Sequence, residues 1–593
     1  MHVMNSAIRT GLKTKDKAAA LIWGESSFVV RVTLIVLALT SIPYVYGYLV
    51  APPGKEFMGI MVDVPDHAQY FSWMRELSTS HLAANKLTPE TNSPVLFNLL
   101  WWGMGRLGTM IGLGYAGMFQ VLRVSAGAAF LLLVYRVIGL FLKDLWSKRI
   151  AFMVVAFTSG FGWILVVLKY TFSHGQLIYP LDVFIAEGNT FLGILGYPHF
   201  IAAALYILVF DQVLRGQSRG QLRYALAAGL LAQFFGWQHA YDLVLVYGIL
   251  AGYTALVALR DRRLPVYLVR SNLILWGLSC WPAIYSLVLT RADPIWEKVL
   301  DQFANAGVYT PNPFHLIILL GPAFLLAIFA FVKDNPLRLA GVEDHKIFLR
   351  SWFLFNFLLI YIPTDFQIHM LNGWQVPIAI LATHGLVDYL APFLRGLAVR
   401  LGIPGLHWTS LRRALGIVLV LVILPTNLYL WTWRFVELGR GDYPYYLHRD
   451  ELVALDWLEA NGRPDDVVLS SLTIGQYIPA LTGKHAFLAH WAQTLDFFAK
   501  SDMVAEFFNL ATAEDRRLQI IDAYGVDFIF YGPAERELGG YLPASSSYLS
   551  FAFSVGEVEI FEIASELSGL SRPLIEMDVG VIKGYLWSSK TRP

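Results

Sequence analysis

Apolar runs of about 20 residues recur along most of the chain, separated by short polar loops whose charge alternates in kind. A helix of that length crosses the hydrocarbon of a bilayer, and it satisfies every backbone N–H and C=O within itself. Repetition of such runs leaves one broad class of fold, a mainly α, polytopic bundle of membrane-crossing helices. Composition agrees, with 56% hydrophobic and 15% charged residues.

The loops set the count and the orientation. Lys and Arg concentrate in residues 143–149, 215–223, 260–270, 333–350 and 395–413. The alternate loops, 171–197, 236–242, 291–313 and 363–372, carry acids, histidines and aromatics instead. This is the positive-inside pattern. It yields about eleven spans, a cytoplasmic N-terminus and an extracytoplasmic C-terminus, provided that residues 94–113 lie along the outer surface rather than crossing. The basic N-terminus (Arg9, Lys13, Lys15, Lys17) ahead of the span at 29–50 reads as an uncleaved signal anchor in a multi-pass plasma-membrane protein. A net charge of +1 with scattered basic residues excludes a nucleic-acid-binding surface, and the single Cys280 excludes an intrachain disulfide.

The pattern changes at about residue 439. Short apolar strands are expected at 467–471, 486–489, 527–531, 550–555 and 557–563, with helices at 496–511 and 514–524. Strands alternating with helices predict a small extracytoplasmic α/β domain over 439–593, following a transmembrane domain over 1–438 that includes outer juxtamembrane helices at about 51–113.

With this topology the unusual polar residues fall on one face. The first outer loop holds Asp63, Asp66, His67 and Tyr70; the second holds Asp182 and Glu187, with His199 just inside the next span; later turns supply His239, Asp242, Asp365 and His369. Ionisable groups beside apolar runs need a partner or a wet cavity. The bland alternative for each histidine is a hydrogen-bonded structural role. For Asp242 and Asp365 it is a histidine partner or a helix cap, for Asp182 a cap, and for Asp63 solvation. Asp66 differs, because Tyr70, Trp73, Met74 and Leu77 give residues 66–77 the period of an amphipathic surface helix. A carboxylate in its first turn is held ionised by the helix dipole, worth ~0.3–1 kcal/mol when exposed.

The segments DHAQY (66–70), SPVLFNLLWWGMGRLG (93–108) and FQVLRVSAGAAFLLLVYRVI (from Phe119) resemble the GT-C superfamily of polyprenyl-phosphate-dependent membrane glycosyltransferases, best over the first ~150 residues. The remainder is similar to a bacterial subgroup with the same plan, through Glu187, Pro198, His199 and the phrases GKHAFLAHWAQTLDFFAK and FIFYGPAERELG. His67 stands where the superfamily often has a second adjacent acid, and no Trp-Trp-Asp sequence is present, which argues against an asparagine-glycosylating enzyme.

The resemblance implies sugar transfer at the outer face from a polyprenyl-phosphate donor lying in the membrane lipid, to a glycan, lipid or protein acceptor. Asp66 would be the base in an inverting displacement, with Asp63 and Glu187 as supporting acids. His67, Tyr70, His199, His239, Asp242 and His369 would bind donor phosphate or sugar, and Arg123 or Lys55 could add charge. No cofactor is expected; a divalent ion on Asp63, Asp66 and Glu187 is the less favoured alternative, since no compact ligand motif supports it. Two other classes remain open from sequence. A transporter or flippase of lipid-linked substrate would use Pro- and Gly-broken spans such as LLGPAF, and an inactive scaffold would keep the fold only to bind.

Overall fold

The computed structural model describes residues 2–177, 180–183, 185–304, 309–364, 366–402 and 407–564. Among these, eight helices are long and apolar enough to cross a membrane. They are Glu25–Leu49 at the end of α1 (His2–Leu49), then Tyr115–Phe141, Pro198–Arg219, Asp242–Asp261, Val266–Ala292, Pro313–Lys333, Gln375–Arg400 and Trp408–Arg440. The chain is a multi-pass membrane protein. Eleven were expected; the remaining helices at the intermediate positions, Leu145–Ala156, Gly162–Thr171, Arg223–Gly236 and Asp344–Leu359, are shorter than a full span. The longest, at 16 residues, rises about 24 Å, less than the ~30 Å hydrocarbon core.

Two of these helices break where they touch. A Cβ on Gly160 would lie 1.9 Å from the Ile318 carbonyl oxygen, and Gly321 opposite adopts φ +64. The Phe161 N–H donates to the Ile318 carbonyl at 2.8 Å, so a donor freed at one break is satisfied by a carbonyl beside the other. The LLGPAF sequence does break its span, whereas Pro43 and Pro282 are carried within continuous helices.

The bundle has two unlike ends. At one, the basic loops meet each other: Arg136 and Arg215 both bind the buried Asp211, Arg260 binds Asp344, and Arg412 binds Asp144. At the other, the acid- and histidine-bearing loops meet the C-terminal region.

That second end is built on the first loop. Strand β1 (Lys55–Phe57) is followed by helix α2 (Val64–Thr79) and helix α3 (Leu99–Ile111). Asp63 precedes α2 at φ 44 and Pro65 stands in its first turn, a residue pre-set for helical φ. Helix α3 is 13 residues, about 20 Å, and packs along α2. A Cβ on Gly105 would fall 2.3 Å from the Met74 carbonyl oxygen, so glycine permits this approach. Helix α2 does not lie on the membrane as an amphipathic surface helix. It is enclosed between α3 and the C-terminal residues Ile478–Thr482, and its buried set (Val64, His67, Ala68, Phe71, Trp73, Met74, Leu77) is wider than one face.

After Arg440 the chain turns back. Strand β2 (Tyr446–His448) pairs antiparallel with β1. Strands β3 (Val467–Leu469), β4 (His485–Ala486), β5 (Val526–Tyr531), β6 (Leu549–Val555) and β7 (Val558–Ile563) form a sheet in the order β4-β3-β5-β7-β6. Its β3 pairings with β4 and β5 are parallel and the rest antiparallel. Helices Phe497–Phe507 and Glu514–Tyr524 complete this α/β unit. Residues 85–88 run beside it: the Ala486 N–H donates to the Lys86 carbonyl at 2.9 Å, and His485 Nδ1 lies 2.9 Å from the Thr88 carbonyl. The first loop and the C-terminal unit therefore share one packing surface. Residues 565–593 of the expected 439–593 domain, and Asp365, lie outside the described residues.

Candidate active site

The first turn of α2 aims Asp66 at the C-terminal unit, where His490 Nε2 meets Asp66 Oδ1 at 2.8 Å. His490 is buried, while the Asp66 side chain keeps 27% of its surface exposed. The His490 Nδ1 accepts backbone N–H groups from Ala492 at 3.0 Å and Gln493 at 3.2 Å. A nitrogen that accepts two N–H bonds has no room for its own proton, so the ring proton sits on Nε2 and is donated to Asp66.

The two acids of the loop are not equivalent. Burial, the largest single influence, would raise the Asp66 carboxyl; the His490 hydrogen bond together with the electrostatic effect of His490, His67 and His369 overcomes it and holds Asp66 below the usual carboxylate value. Asp63 is pushed up to about 8, first by burial and then by the Asp66 charge and a hydrogen bond with it. Two adjacent carboxylates cannot both ionise cheaply, so near neutrality Asp63 carries the proton and Asp66 the charge.

The second outer loop and the later turns close on this pair. Glu187, nearly buried, is in short contact with His369 Nδ1. His239 Nδ1 lies 3.0 Å from Asp242 Oδ2, and the Tyr241 hydroxyl contacts its Nε2. The rings continue as a chain. Trp101 stacks on Tyr70 at 4.7 Å, Tyr70 meets His199 at 4.7 Å, and His199 packs on Phe200 at 4.1 Å. Phe200 then touches both His239 at 5.7 Å and His369 at 5.6 Å. The Tyr70 hydroxyl lies 3.4 Å from His199 Nε2, while His199 Nδ1 is buried with no hydrogen-bond partner. Asp66, the protonated Asp63, Glu187, Asp242 and the rings of His199, His239 and His369 thus share one end of the bundle.

Two solved structures are similar to the chain as a whole. The apo oligosaccharyltransferase of Archaeoglobus fulgidus is 14% identical over 91% of this chain and 75% of that one, with a TM-score of 0.48. ArnT from Cupriavidus metallidurans, bound to undecaprenyl phosphate, is 12% identical over 92% of this chain and 99% of that one, with a TM-score of 0.47. No family model and no curated protein sequence matches the chain.

Of the residues singled out from sequence, Asp66, Asp63, Tyr70, Glu187, His199, His239, Asp242 and His369 gather here. Asp242 is buried and serves His239 and Asn372, whose amide nitrogen is 3.5 Å away, as the pairing alternative anticipates. His67 is fully enclosed; its Nδ1 donates to the Asp63 carbonyl at 2.8 Å and its ring packs on Phe119 at 4.8 Å. Its ring also lies 6.0 Å from Tyr70 and 6.3 Å from His199, so it borders the site while stabilising the turn that carries Asp63. Arg123 is spent on Thr40, Ser41 and Gln120, and Lys55 on the Gly441 carbonyl. Neither cation is directed to the acids. Asp182 caps the start of a different helix from the one expected: its Oδ2 accepts the Gly162 N–H at 2.9 Å.

Among the described residues no three His, Cys, Asp or Glu side chains converge as a metal requires, because Asp66 and Glu187 are each committed to a histidine. A cavity of about 520 Å³ lies on the far side of α2, lined by Phe71, Arg75, Thr109, Tyr115, Asp456 and Glu459. At 100° per residue Phe71 and Arg75 stand about 140–180° around the helix from Asp66, so this cavity is separate from the acid pair. Sequence reasoning missed His490 as the partner of Asp66, and missed Tyr241 and Tyr197. The GWQHAYD turn held a signal for Tyr241; nothing local marks a contact spanning 424 positions.

Proposed function

We propose that the chain is a membrane glycosyltransferase that moves a sugar from a polyprenyl-phosphate donor to an acceptor at the outer membrane face, with Asp66 as the base. The observation that carries this reading is an ionised, oriented carboxylate with one oxygen bonded to His490 and the side chain still partly exposed, set beside the Glu187–His369 pair and His199. The acceptor O–H gives its proton to the Asp66 carboxylate as its oxygen bonds the anomeric carbon. The bond from that carbon to the phosphate oxygen breaks, and its electron pair leaves with the phosphate. A hydrogen bond from His199, whose buried Nδ1 has no partner, would stabilise the charge that develops there. Sequence resemblance supplies the donor class, and the outward orientation rests on the loop charges.

The test uses membranes carrying the chain or its Asp66→Asn variant, mixed with total lipid from cells that lack the chain. Lipid-linked sugars are followed by mass spectrometry. The expected result is consumption of one polyprenyl-phosphate sugar, slowed by about 10²–10⁴-fold in the variant. Equal rates in the two membranes would refute Asp66 as the base, and no lipid-linked sugar consumed by either would refute the donor class.

A further inference from the structure

We propose that His490, supplied by the C-terminal unit, is the positioning residue for Asp66, so that the candidate site is completed only when the turn 489–494 docks on α2. The inference rests on the glycosyltransferase reading for its consequence but on geometry for its content.

The turn is built to present one ring nitrogen. Thr494 Oγ1 accepts the N–H groups of Ala489 and His490, both at 3.0 Å, and donates to the Leu87 carbonyl at 2.5 Å. Ala492 and Gln493 then close on Nδ1. Outside the turn, Asn85 Nδ2 donates to the Gln493 carbonyl at 3.0 Å, and Gln302 Nε2 donates to the carbonyls of Ala492 at 3.0 Å and Thr494 at 2.7 Å. Three separate parts of the chain, residues 85–88, Gln302 and the 489–494 turn, therefore fix where Nε2–H points. A histidine needed only for packing would not require both nitrogens to be specified.

The consequence for Asp66 follows from its surroundings. From its own element and the preceding turn, Asp63, His67 and Tyr70 face it; from the second outer loop Glu187 and Tyr197; from the later turn His369; from the C-terminal unit His490. Among these, Asp63 and His490 hydrogen-bond Asp66, and His490 is the one supplied by the C-terminal unit, its own remaining nitrogen committed. The His490 bond holds Oδ1 and favours the ionised form.

The experiment uses the full chain in lipid nanodiscs. Dicyclohexylcarbodiimide reacts with protonated carboxyl groups, so its labelling of Asp66 between about pH 2 and 9, read by peptide mass spectrometry, reports protonation without a substrate. His490→Asn is the main variant, since its amide oxygen can still accept the Ala492 and Gln493 N–H groups while its side chain is too short to reach Asp66. His490→Gln restores a reaching N–H. The expected result is that His490→Asn moves half-labelling of Asp66 upward by at least about one pH unit, a tenfold gain in proton affinity, and that His490→Gln largely reverses it. An unchanged Asp66 profile in a folded His490→Asn protein overturns the proposal. If that variant does not fold, an unchanged profile in His490→Leu, which removes both nitrogens, does the same. Loss of the base role in Asp66→Asn is scored separately by sugar transfer, so a labelling shift with transfer intact in Asp66→Asn keeps the contact and removes the glycosyltransferase base.

Discussion

Replacing Thr494 by valine keeps the shape of a fully buried side chain and deletes its oxygen. Three hydrogen bonds go with it, from the Ala489 and His490 N–H groups and to the Leu87 carbonyl. Each is worth about 1 kcal/mol net, and the orphaned groups are enclosed, so local opening of the turn becomes easier by about 3 kcal/mol. Opening free energy is what amide exchange reads in the native state, and about 1.4 kcal/mol is a tenfold change. Exchange at residues 489 and 490 should therefore accelerate by about 100-fold, while the transmembrane helices keep their protection. The assay is hydrogen–deuterium exchange with peptide mass spectrometry on the wild type and Thr494→Val in nanodiscs. Unchanged exchange over 486–496 would show that the Thr494 oxygen does not hold the turn, and the fixed orientation of His490 would lose its support.

Asp63→Asn should flatten the pH dependence of stability. A carboxyl whose folded value stands at about 8 stabilises the fold fully below its unfolded value near 4, and that contribution is lost as pH rises through 8. Asparagine also tolerates the left-handed φ of 44 at this position, so the variant should melt higher than wild type at pH 8 and not at pH 4; equal melting differences at both would refute the assignment of the proton to Asp63. Gly160→Ala should cost about 1–3 kcal/mol or prevent insertion, because its Cβ would meet the Ile318 carbonyl at 1.9 Å; detergent melting at the wild-type temperature would contradict the paired helix breaks.

Much of the fold is legible in sequence because the bilayer makes the rules local. A crossing helix must be apolar over its own length, and a loop shows its side by its own Lys and Arg, so span positions can be read without knowing what packs against what. The alternation of β3, β5, β6 and β7 with two helices is likewise written in short windows. The start of α2 was visible too, since Pro65 and the polar residues before it mark a helix entrance. What escaped was everything set by long-range approach. Helix α2 reads as a surface helix because its period is amphipathic, yet the C-terminal unit covers the face that would have met solvent. Arg123 and Lys55 look like free cations until Thr40, Ser41 and the Gly441 carbonyl are seen to hold them.

The sequence by itself determined a multi-pass helical protein with an acid-bearing first loop and an α/β unit after its last span. Only the tertiary structure decided which acid is charged. Asp63 and Asp66 are three positions apart in one loop, and composition gives no reason to separate them. Burial beside a neighbouring charge puts the proton on Asp63, and an imidazole 424 positions away, its other nitrogen locked by two backbone amides, keeps Asp66 ionised. Ionisation depends on the dielectric and the partners within a few ångströms, and those are properties of folded space rather than of chain order.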